Sequence, residues 1–217
     1  MSSPLRERRR AAATREILDA ARHEIAEHGP SGLALRSVAR RLGMTVQALY
    51  HYFPSRDELI TALITEAYGE LADAVEAATG FLAAAEAFRA WAIGNAAPFR
   101  LIYGTPLPHY AAPAHGRTTA AATRLATVFI RAMFGGYRDD QLARADFPGP
   151  LEGLPPWAFG DLPRPAAALF VSAWGHLHGL VVLEAFGHTA FIGPAQEEIF
   201  RGAMRNLLAD VHRRIPD

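Results

Sequence analysis

No cysteine occurs among the 217 residues, which excludes a disulfide framework, thiolate metal sites and cysteine nucleophiles. Lysine is absent as well. All 22 basic side chains are arginine, and 22 acidic residues balance them to a formal net charge of zero. The longest nearly uncharged stretch, Pro165 to Leu183, is interrupted by Ser172, Trp174, His176, His178 and two glycines, a poor membrane span. No apolar run follows the arginine-rich start in the manner of an export signal. These absences predict a cytoplasmic protein with no membrane partner. The neutral total conceals an asymmetry, because residues 1–56 hold ten arginines against five acids and residues 57–217 hold twelve against seventeen. A small anion-binding module on a larger body fits that division.

What is present favours helix. Alanine occurs 43 times, and alanine and arginine are both strong helix formers. Ile17, Leu18, Ala21 and Ile25 share one helical face before the stop Gly29-Pro30-Ser31-Gly32. Leu35, Val38, Ala39 and Leu42 repeat at helical spacing up to Gly43, where a left-handed backbone is cheapest for glycine. Thr45 is placed to cap a third helix, with Val46, Leu49 and Phe53 inward and Gln47, Tyr50 and His51 outward. After Pro54, Ser55-Arg56-Asp57-Glu58 reads as a capping box that starts a long fourth helix with a stripe through Leu59, Leu63, Ile64, Ala67, Leu71, Ala74 and Val75. Further helices are predicted near 82–95, 97–103, 118–134, 165–186 and 194–214, with a Pro- and Gly-rich loop over 135–163 that holds at most a short helical turn. No period-two strand run is found. The expectation is an all-α chain of about nine helices, with a head at 1–56 that includes a flexible basic tail over 1–11, and a body at 57–217.

Two short helices joined by a three-residue turn containing glycine follow the helix-turn-helix plan, in which the second helix enters the DNA major groove. Gln47 suits an adenine edge, His51 a base edge, Tyr50 a phosphate or thymine methyl, and Arg36 a guanine or phosphate. Arg6, Arg8, Arg9 and Arg10 would track the minor groove or remain disordered. A purely structural bundle uses similar periodicity, and residue identity tips the balance.

The runs Thr14-Arg-Glu-Ile-Leu-Asp-Ala-Ala21, Leu35-Arg-Ser-Val-Ala39, Gly43-Met-Thr-Val-Gln-Ala-Leu-Tyr-His-Tyr-Phe53 and Ser55-Arg-Asp-Glu-Leu59 closely resemble the DNA-binding domain of the TetR family of bacterial regulators. That resemblance implies operator contacts at Arg36, Thr45, Val46, Gln47, Tyr50, His51, Tyr52 and Arg56, with Leu49 and Phe53 as core. Ala34 stands where the family usually has a capping threonine, and Arg56 where lysine is more usual. The body resembles the family's Trp-His-Gly type through Ala97-Pro-Phe-Arg-Leu-Ile-Tyr-Gly104 and Ala173-Trp-Gly-His-Leu-His-Gly179. The resemblance implies a homodimeric repressor, paired through its last two helices, that leaves a palindromic operator when a small molecule binds. Activation, or a need for a co-ligand to bind DNA, is the alternative.

For a mostly apolar effector the candidate lining is Trp91, Asn95, Phe99, Tyr103, Tyr110, Phe129, Met133, Phe170, Trp174 and His178, each of which would serve equally as core. The dimer face is expected at Gly175, Gly179, Ile199, Phe200, Ala203, Met204, Leu207 and Val211. A metal-dependent enzyme built on His176 and His178 is a distant alternative, since residues two apart on a helix point in different directions. No nucleophile elbow, P-loop or dinucleotide fingerprint occurs. No catalytic residue, metal or cofactor is expected.

Overall fold

The computed structural model describes residues 4–104, 107, 110–112, 116–149, 151–153 and 160–217. Among these residues every regular element is helical: α1 Pro4–His28, α2 Leu35–Arg41, α3 Val46–Tyr50, α4 Arg56–Glu76, α5 Phe81–Gly94, α6 Ala96–Tyr103, α7 Arg117–Phe134, α8 Asp139–Ala143, α9 Arg164–Ala185 and α10 Gln196–Arg213. Short 3-10 turns at Pro30–Gly32 and Ala190–Ala195 complete the set. The all-α expectation holds, with one helix more than anticipated. The extra element is α8, a single short helix inside the Pro- and Gly-rich segment.

One expectation is corrected. Residues 4–11 continue α1 and are not a loose tail, because Pro4 lies in the first turn, where its missing N–H is unused, and the following Arg and Ala residues favour helix. The chain divides into two compact units, one formed by residues 1–70 with 95–123 and the other by 71–94 with 124–217.

The core of the first unit gathers Ile17, Leu18, Ala21 and Ile25 of α1, Leu35, Val38 and Ala39 of α2, Leu49 of α3, and Leu59, Ile60, Leu63 and Ile64 of α4. These are the periodic residues of the sequence, now facing one another. Leu101, Leu107 and Tyr110 pack against the same cluster, so the segment after α6 belongs with the head. In the second unit α5, α9 and α10 pack against one another and α8 rests on α9. Its interior is a block of rings. Phe88 meets Phe129 at 6.0 Å and Trp174 at 5.4 Å, and Phe129 meets Phe81 at 6.3 Å and Trp174 at 5.5 Å, each edge-on, the arrangement that ring quadrupoles favour. Helix α9 is long and apolar enough to cross a membrane, but Ala166, Ala167, Leu169, Phe170, Ala173, Leu177 and Val181 bury one face of it in this core.

Candidate nucleic-acid interface and associated cavities

The turn between α2 and α3 is built by glycine. Gly43 has φ 63°, its N–H donates to the Arg40 carbonyl at 3.2 Å, and the Met44 N–H donates to the Ala39 carbonyl at 2.9 Å. This paired bonding closes α2 as a Schellman motif with Met44 packed on the core behind it. At the other end of the turn the Thr45 hydroxyl accepts from the Ala48 N–H at 3.1 Å and starts α3. With Leu49 fully buried and Val46 half-buried, Gln47, Tyr50 and His51 are left on the outer surface, Tyr50 43 % exposed. Arg36 is exposed on α2. Ala34 sits at the N-cap of that helix and its methyl group makes no capping hydrogen bond.

Two of the expected contact residues have structural work. Arg56 donates from Nε to the Leu33 carbonyl at 2.8 Å and from Nη2 to the Pro30 carbonyl at 3.3 Å, pinning the turn before α2 to the start of α4. Tyr52 is half-buried with the Arg10 guanidinium 5.7 Å above its ring, which places one arginine of the supposed tail. Ser55 caps α4 through the Glu58 N–H at 3.1 Å. A tie invisible to the sequence reading joins α1 to α2: buried Glu24 and exposed Glu27 receive Arg41 at 3.1 and 2.5 Å. Glu24, Glu27 and His28 cluster closely enough to hold a cation, but the Arg41 guanidinium already supplies that charge. Arg22 likewise meets Asp19 at 2.7 Å, Glu66 at 3.0 Å and Glu70 at 3.5 Å, linking α1 to α4.

The first unit also contains cavities. One of about 490 Å³ lies among Ile25 and Ala26 of α1, Leu63 and Ala67 of α4 and Pro98 and Leu101 of α6. A second, of about 470 Å³, lies among Ile64 and Tyr68 of α4, Leu101 and Ile102 of α6, Tyr110, and Thr118 and Ala122 of α7. Tyr110 shares a hydrogen bond of 3.1 Å with Thr61 of α4. Tyr68 meets Tyr103 edge-on at 5.8 Å, and burial raises the pKa of both phenols above the ordinary tyrosine value.

Comparison with known proteins decides the family. Residues 17–63 match the model described as bacterial regulatory proteins of the tetR family, and residues 81–207 match the tetracyclin repressor-like C-terminal domain. The chain belongs to the TetR family. It is 35% identical to the HTH-type transcriptional regulator Rv1816 of Mycobacterium tuberculosis over 189 residues, 79% of this chain and 80% of that protein. The solved regulatory protein SCO4313 superposes with a TM-score of 0.79 at 36% identity, covering 94% of this chain and 98% of its own. A TetR variant from Acinetobacter baumannii AYE in complex with minocycline shares the fold, with a TM-score of 0.53 at 16% identity over 93% of this chain and 97% of its own. This TetR-family chain is therefore a DNA-binding transcriptional regulator and not an enzyme.

The ten candidate lining residues of the TetR-family body fall into two sets. Asn95, Phe99, Tyr103 and Tyr110 belong to the first unit, and Trp91, Phe129, Met133, Phe170, Trp174 and His178 to the second. Phe99 is fully buried against Tyr103 at 5.2 Å. Phe129 and Met133 are core, and His178 stacks on Trp174 at 5.7 Å while His176 is exposed. The two histidines thus diverge, as their spacing requires. Tyr110 is the member of the ten that lines the 470 Å³ cavity.

The expected dimer stripe also divides. Phe200, Met204 and Val211 are buried within the second unit, a correction, because α10 turns that face toward its own core. Ile199 is 52% exposed, Gly175 exposed, and Gly179, Ala203 and Leu207 half-buried. Sequence reasoning missed Val171 and Leu183, which are 45% and 42% exposed. With Gly175 and Gly179 they form a four-residue-spaced row along α9, a signal that was present in the sequence.

Proposed function

We propose that this regulator is a homodimeric repressor, acting in the cytoplasm, that a small mostly apolar molecule releases from a palindromic operator. The observation that carries the reading is the outward face of α3. Gln47, Tyr50 and His51 are exposed together on a helix whose opposite side is locked into the core, and their chemistry suits base edges and phosphates. Arg36 extends this face, Thr45 and Val46 set its start, and Arg56 and Tyr52 hold it in place. Operator symmetry calls for two such faces about one DNA turn apart, roughly 34 Å. The row Val171, Gly175, Gly179 and Leu183, with Ile199 on α10, is the surface for pairing: glycines let helices approach closely while the larger residues bury apolar area.

Fluorescence anisotropy of the full chain on duplexes tiling the DNA beside its own gene tests the reading, at two salt concentrations and with Tyr50→Ala alongside. Site-specific binding should weaken with salt as counterion release requires, and Tyr50→Ala should lower affinity by about tenfold, the size of one good contact. Equal affinity of the variant and parent for the best duplex would sink the assignment of α3. A monomer at micromolar concentration in analytical ultracentrifugation would sink the dimer.

A further inference from the structure

The 470 Å³ cavity of the first unit has an unusual lining. Its described residues carry no formal charge, although the chain as a whole is one-fifth charged. Its walls are aliphatic, with Ile64, Leu101 and Ile102, and its polar side chains are hydroxyls, on Tyr68, Tyr110, Thr118 and the solvent-exposed Thr119. Tyr68 and Tyr110 have protein partners in Tyr103 and Thr61. Thr118 does not. Its side chain is 5% exposed, and its Oγ1 is buried with no hydrogen-bond partner among the described residues. A buried hydroxyl left unbonded carries a desolvation penalty that a native structure normally avoids. The same residue lines a cavity large enough for a small molecule.

We propose that this cavity is the effector site, and that it takes an uncharged, largely aliphatic molecule with one hydroxyl or carbonyl oxygen bonded to Thr118. This deepens the ligand-release reading and rests on it. The walls decide the chemistry. A carboxylate or ammonium group entering them would lose its hydration with no countercharge among the described lining residues, whereas an alcohol or ketone buries its chain and bonds the Thr118 hydroxyl. The position also gives the ligand leverage. Ile64 and Tyr68 line the cavity from α4, and Thr61, one turn earlier on that helix, is bonded to Tyr110 at the cavity's edge. The same helix begins at Arg56, which grips the turn preceding α2. A molecule that displaces Tyr110 or α6 therefore acts on the element that holds the DNA-reading helices.

Isothermal titration calorimetry on the full chain at pH 7.5 with 1-octanol, octanoate and octylamine tests this, because the three share one chain and differ in charge. Octanol should bind, with octanoate and octylammonium at least about tenfold weaker. Thr118→Val, which keeps the shape and removes the hydroxyl, should weaken octanol about fivefold and raise the unfolding midpoint of the ligand-free protein by about 2 °C. Ala122→Phe, which fills the cavity, should abolish binding. No octanol binding, charged probes that bind as well as octanol, or an unchanged octanol affinity in Thr118→Val would overturn the proposal. Operator anisotropy with octanol separates the two readings: octanol that binds through Thr118 without altering DNA affinity leaves the site standing and removes ligand release.

Discussion

The two units of this regulator spend their large side chains differently. In the second unit Phe81, Phe88, Phe129, Phe170, Trp174 and His178 fill the interior with ring-to-ring contacts. In the first unit the rings beside α4 are phenols, hydroxyls bond in pairs, and space remains among them. The expected ligand lining took Phe129, Phe170, Trp174 and His178 from the ring block and Phe99, Tyr103 and Tyr110 from the first unit. Yet large rings at helix interfaces fill volume, and a cavity persists where residues are short or are held back by hydrogen bonds.

The comparison breaks first at Phe129. If the ring block is core, Phe129→Ala should destabilise the protein by about 4 kcal/mol, read as a large fall in the denaturation midpoint at fixed protein concentration. A near-neutral variant would make the block a site and reverse the contrast. Arg89 sharpens it next, because this half-buried arginine forks onto Glu184 at 2.7 and 2.5 Å and ties α5 to α9 around the rings. Arg89→Ala strands Glu184 and should cost about 3 kcal/mol, and Glu184→Gln made in the same chain should recover part of it.

Effects in the head should be smaller because they are local. Gly43→Ala meets no neighbour within 4 Å, so its cost is that of a left-handed backbone alone, about 1 kcal/mol. Ala34→Thr supplies the missing cap of α2 and should stabilise by about 0.5 to 1 kcal/mol, checked by the same denaturation series. The weakest test is pH. Burial holds the His178 imidazole below the ordinary histidine range, so the unfolded chain binds a proton at higher pH than the folded chain does. Stability is untouched above the unfolded value and falls as pH drops through it toward the folded value. His178→Phe should therefore lose less stability than the parent between pH 7.5 and 5.5.

The head was legible because its signals are local. The spacing of Leu35, Val38 and Ala39, the left-handed turn at Gly43 and the cap at Thr45 all act within a few residues, and each is found as expected. The outward placement of Gln47, Tyr50 and His51 followed from the inward placement of Leu49. What was not legible depends on which faces meet. Nothing local tells that residues 95–123 join the head's unit, and without that the cavity at Thr118 has no address. The family resemblance placed Arg56 among the operator contacts, and its bonds to the Leu33 and Pro30 carbonyls are not visible in the sequence. On α10 a single apolar stripe was expected to serve the dimer, yet Phe200, Met204 and Val211 supply the core and Ile199 the surface. Periodicity identifies an apolar face, and only packing assigns it an owner.

The reading helix α3 is five residues long, Val46–Tyr50. At a rise of about 1.5 Å per residue it spans roughly 7.5 Å, little more than two base-pair steps of about 3.4 Å. So short a probe inspects a word that recurs at countless places in a genome. In the proposed homodimer, discrimination comes from two words read at a fixed spacing, and whatever alters the spacing erases the address without touching a single letter-reading side chain.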